Sequence, residues 1–77
     1  MAGKRQQPHH YFSVFIDFER DAPEMVWFGY SERIAAWQFY TAIKRAERKP
    51  GAYAVDLRQD GQNVASVSVN VKTPAIA

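Results

Sequence analysis

The sequence predicts a single α+β domain of order β-β-α-β-β, in which one helix packs on one face of an antiparallel four-stranded sheet. Apolar residues alternate at Phe12, Val14, Ile16 and Phe18, and again at Tyr53, Val55 and Leu57. Helix-forming residues run without a break between Ser31 and Pro50. Asp60-Gly61, set between two alternating segments, is a strong hairpin signal. A chain of 77 residues has room for one domain and one modest core. Residues 10–72 are read as that domain, residues 1–9 as a flexible basic arm and residues 73–77 as a loose tail.

The first strand is expected from His10 to Phe18, with Tyr11, Ser13, Phe15 and Asp17 on the side opposite the apolar row. Glu19 to Pro23 reads as a turn. Glu24 to Tyr30, rich in valine and aromatic residues, reads as a second strand closing a hairpin. A short helix competes for this segment, because Asp21 and Glu24 have capping-box spacing and Pro23 suits a first turn. Ser31 is a good N-cap and Glu32 suits the positive end of a helix dipole. The helix is placed from about Glu32 to Arg48, ending in a basic turn before Pro50 and Gly51. Beyond the third strand and its hairpin turn, Ala65, Val67, Val69 and Val71 alternate with Val64, Ser66, Ser68 and Asn70 as a fourth strand.

This architecture leaves surface uncovered. A helix is about 10 Å across, whereas four strands about 4.8 Å apart make a sheet nearly twice as wide. The helix stripe meant for the core is Ala35, Phe39, Ala42, Ile43 and Ala46, so the large core side chains must come from Phe12, Val14, Ile16, Phe18, Tyr53, Val55, Leu57 and the valines of the last strand. Tyr11 and Phe15 fall on the far face of the sheet, joined either by Met25 and Trp27 or by Val26, Phe28 and Tyr30. On the outer helix face, Arg33, Trp37, Tyr40, Lys44 and Arg48 follow at helical spacing, with Ile34, Thr41 and Arg45 beside them.

Hydrophobic residues make up 47% and charged residues 23% of the chain, a globular composition, and the net charge of +2 does not demand a polyanion as partner. Charge is unevenly spread. Asp17, Glu19, Asp21 and Glu24 form an acidic pole, and Lys44, Arg45, Arg48 and Lys49 a basic one. Cysteine is absent, which excludes disulfides and thiolate metal sites and fits a reducing compartment. The first ten residues lack the apolar segment of a secretion signal and no run is long enough to cross a bilayer, so a cytoplasmic protein with no membrane partner is expected.

Catalysis has little to stand on. The only histidines are His9 and His10, whose side chains point opposite ways in extended chain beside the arm, and they read as exposed and non-functional. Asp17, Glu19 and Asp21 could line one side of an extended segment and hold a hard cation, but such a run is more often a solvated strand end. The four glycines are scattered, so no phosphate-cradling loop is present. No enzyme, cofactor or metal is expected.

The expected function is therefore binding. The partner-binding residues are Arg33, Trp37, Tyr40, Lys44, Arg45 and Arg48, where tryptophan and arginine supply buried area together with charge. Tyr11 and Phe15 mark a sheet-face interface that a homodimer would bury. The expected partner is a protein or nucleoprotein complex. Direct binding of DNA or RNA by the basic helix face is the alternative, and a self-assembling structural subunit the second alternative. In size and lack of catalytic groups the chain is similar to the small accessory proteins of phages and plasmids that inhibit or regulate a larger host machine by docking on it. That similarity is one of scale and assigns no residue.

Overall fold

The computed structural model describes residues 9–69. Most of the expected arm, positions Asn70 and Val71 of the expected fourth strand, and the expected tail lie outside the described residues. Within them the chain forms β1 (Phe12–Phe18), β2 (Glu24–Gly29), α1 (Glu32–Ala46), β3 (Ala52–Gln59) and β4 (Gln62–Ser68). The strands make one antiparallel sheet in the order β2-β1-β3-β4, and α1 packs on it, as the periodicities predict.

β1 is central and its alternation is read directly by the fold. Phe12, Val14 and Ile16 are buried beneath α1, and Val14 and Ile16 lie opposite Leu57 and Val55 of β3. Val14, Ile16 and Val55 are the largest fully enclosed side chains. The helix contributes Ala35, Ala42 and Ala46 to the buried layer, with Phe39 and Ile43 partly buried at its flank. Small residues at the contact let the helix axis come close to the sheet, so the apolar volume comes from the strands.

Residues Glu24–Gly29 form a strand and no helix. Their valine and aromatic residues suit a pleated surface, and six residues gain far more by pairing with β1 than by nucleating an isolated turn of helix. A register shift between Val14 and Phe15 makes Val26 a bulge. The bulge mixes the two alternation patterns expected for this strand: Val26 and Trp27 both pack on the helix side, while Met25 and Phe28 are exposed with the residues of the far face. Trp27 then lies across Gly29. A Cβ on Gly29 would sit 2.5 Å from the indole, so only glycine leaves room for the ring.

A second bulge corrects another expectation. The register shifts between Asp17 and Phe18, so Phe18 pairs with Ala52 and not with Tyr53. Ala52 enters the core, and Tyr53, expected there, is left exposed. Val67 is likewise exposed on the helix side, because α1 packs chiefly over β3 and β1 and less over β2, leaving β4 beyond its main contacts. Val69, at the end of β4, is buried.

The helix begins as expected. Ser31 Oγ accepts from the Ile34 N–H at 3.2 Å and the Ser31 carbonyl accepts from Ala35 at 2.9 Å. It ends two residues earlier than the sequence suggests. The N–H groups of Arg48 and Lys49 bond back to the carbonyls of Arg45 and Ala46, a tighter winding that stops the helix before Pro50. Asp60 and Gly61 take φ of +54° and +86°, the paired positive values of a type I′ hairpin turn between β3 and β4.

Candidate interaction surfaces

The outer face of α1 carries the first candidate surface. Trp37 is 65% exposed and Tyr40 56%. Ile34 beside them is also exposed, so an apolar centre forms on a helix face turned away from the sheet. The Thr41 hydroxyl donates to the Trp37 backbone carbonyl at 3.0 Å, an ordinary bond within the helix. Lys44 Nζ lies 5.2 Å from the centre of the Tyr40 ring, one turn further on, and holds its charge at the rim. Arg33, Lys44, Arg45 and Arg48 make no ion pair among the described residues. Arg48 lies past the end of α1, so it flanks the stripe from the following turn and does not extend it.

The open face of the sheet is the second candidate. Tyr11, Phe28 and Tyr30 contact one another in series, the first pair tilted and the second edge to face, with ring centres 5.7 and 5.6 Å apart, at the end of the sheet where the β3–β4 turn lies. Further along, the Arg58 guanidinium lies over the Phe15 ring at 4.2 Å. Beside it Asp56 is buried; its carboxylate accepts from Ser66 Oγ at 2.7 Å and lies 3.9 Å from Arg58. Asp17 meets Asp56 across the β1–β3 pair. Burial, a hydrogen bond to Asp56 and the charge of that neighbour push the Asp17 carboxyl up to about 6, against the pull of Arg58. Two carboxyls are thus crowded together on a face that also carries aromatic rings.

The expected acidic pole is dispersed by the fold. Asp17 turns to the open face, Glu24 pairs with Lys49 at 3.4 Å, and Glu19 and Asp21 stay exposed in the β1–β2 turn. That turn is tied to the segment leading from the helix into β3 by a hydrogen bond from Glu19 N–H to the Gly51 carbonyl at 2.9 Å. The acidic and basic stretches therefore meet at one end of the molecule and partly offset each other. Among the described residues no group of three or more His, Asp or Glu side chains could hold a metal ion. No helix there is long and apolar enough to cross a membrane.

Two arrangements escaped the sequence reading. His10 is exposed but not unattached: its Nδ1 lies 2.7 Å from Asp60, which also accepts from the Tyr11 N–H at 3.1 Å. These contacts hold the Asp60 carboxyl below its usual range and tie the start of β1 to the β3–β4 turn. Asp56 alternates with Val55 and Leu57 in the sequence, and nothing local to it signals Asp17 as its neighbour. Comparison with known proteins finds no matching family model, no matching curated protein and no matching solved structure.

Proposed function

We propose that this chain is a non-enzymatic interaction protein that docks on an acidic patch of a protein partner through the outer face of α1. The observation that carries the reading is Trp37, 65% exposed, beside exposed Tyr40 and Ile34 and rimmed by cations that form no ion pair among the described residues. An apolar centre with a charged rim is the anatomy of a protein interface, and tryptophan, tyrosine and arginine are the residues that most often dominate its energy. A phosphate track would be served by the cations alone and has no use for an isoleucine and a tryptophan at their centre. The reading takes the partner to be part of a larger protein or nucleoprotein machine that this chain inhibits or regulates, and sets the encounter in the cytoplasm.

The test is affinity capture from cells of the source organism with the wild type and a Trp37→Ala, Arg48→Ala double variant. The expected result is a protein that survives nuclease treatment, is retained by the wild type and is lost with the variant, whose circular dichroism stays unchanged. Capture that the double variant preserves overturns the reading. Binding that disappears with nuclease and weakens steeply as salt rises shifts the assignment to nucleic acid, since phosphate contacts release counterions and aromatic contacts do not.

A further inference from the structure

The two edges of the sheet are treated differently by the sequence. β2 is preceded by Pro23, carries Glu24 and is bulged at Val26, three devices that discourage a further strand from adding to an edge. β4 is also an edge, yet Gln62–Ser68 contains no charged residue and no proline. Its one irregularity lies near its start, where the register shifts between Leu57 and Arg58, and Ala65 to Ser68 pair regularly with β3.

The backbone groups that this edge leaves free among the described residues follow from the ladder. Val69 N–H donates to the Tyr53 carbonyl at 2.9 Å, so Val69 turns its backbone toward β3. In an antiparallel pair alternate residues face the same neighbour, which makes Val67, opposite Val55, bond inward as well. Ser66 and Ser68 therefore point their N–H and C=O groups away from the sheet.

We propose that a second copy of this chain pairs there, β4 against β4, antiparallel about a two-fold axis at Val67, so that one continuous sheet spans both copies. In this register Ser66 faces Ser68 of the second copy in hydrogen-bonded pairs, and Val67 faces its own symmetry mate at about 4.5 Å between Cα atoms. Serine opposite serine and valine opposite valine are favourable cross-strand pairs, and an uncharged strand meets its copy without repulsion. Val67, which α1 leaves 37% exposed, is covered by its mate. A charged peptide strand finds no complementary charge on this edge. Stacking two copies by their open faces instead would enclose the part-exposed Asp17 carboxyls and Arg58 guanidinium groups of both, at the desolvation cost of buried charge. The pairing leaves Trp37 out of the contact, so it stands or falls apart from the docking reading.

The chain contains no cysteine, so Val67→Cys supplies a single thiol. Mild oxidation is expected to give a disulfide-linked dimer, whereas Ser68→Cys, two positions out of register with its own copy, lies beyond the roughly 7 Å reach of a disulfide and is expected to stay uncoupled. Sedimentation velocity of the wild type is expected to show a reversible dimer. Val67→Lys, which sets like charges across the axis, is expected to raise its dissociation constant by roughly tenfold or more, and mixing the Val67→Lys and Val67→Glu variants to restore it. A wild type that stays monomeric into the millimolar range overturns the proposal, as does a folded Val67→Lys variant that dimerises unchanged or faster cross-linking at position 68 than at 67.

Discussion

Replacing Asp17 by asparagine removes a carboxyl whose ionisation the fold resists. Burial, with Asp56 close by across the β1–β3 pair, raises the Asp17 pKa from 3.8 to about 6. A raised value means that the folded chain holds a proton the unfolded chain has lost. Between those two values the native state binds more protons, so the contribution of this site is full below about pH 4 and declines as pH rises through 6. At 1.36 kcal/mol per unit, a shift of about two units corresponds to roughly 3 kcal/mol. Solvent screening at a carboxyl that is only part-buried reduces the expected effect to about 1 kcal/mol. Asparagine can donate to Asp56 with no proton to lose. Asp17→Asn is therefore expected to match the wild type near pH 3.5 and to exceed it by about 1 kcal/mol near pH 7.5. With a urea m value of about 1 kcal/mol per molar, the denaturation midpoint at the higher pH should rise by about 1 M. A variant whose gain is the same at both pH values, or that loses stability at the higher one, refutes the raised Asp17 carboxyl.

The two tryptophans should separate cleanly: Trp37→Ala is expected to change stability by no more than about 0.5 kcal/mol, and Trp27→Ala to cost about 2–3 kcal/mol, by urea titration. Gly61→Ala, at φ of +86°, should cost about 1 kcal/mol and lower the thermal midpoint, because the type I′ turn needs the left-handed region there. Gly29→Ala should displace the Trp27 ring from its seat, seen as a red shift of emission in a Trp37→Phe background. Ser66→Ala removes the hydroxyl that donates to buried Asp56 and should cost about 1–2 kcal/mol.

Most of the fold was legible because its signals are local. The alternation of β1, the Ser31 cap and the Asp60-Gly61 turn each depend on residues within one element, and each appears where the sequence puts it. The bulges were not legible, since a one-residue register shift depends on which strand lies alongside. That is why Tyr53 was assigned to the core in place of Ala52, and why the side chains of β2 follow neither simple pattern. The outer helix stripe was readable from 3.6-residue spacing alone, and Trp37 and Tyr40 do face outward. The dispersal of the acidic pole and the meeting of Asp17 with Asp56 depend on β1 pairing with β3, forty residues apart in the chain, which no local pattern encodes.

The docking surface is tested most directly by a photo-crosslinking amino acid placed at position 37 of the full chain, expressed in cells of the source organism, with the same label at exposed Gln62 as reference. Adducts to one protein species from position 37, absent or much weaker from position 62, are the expected result. Equal adduct patterns from the two positions, or adducts to nucleic acid alone, would contradict it.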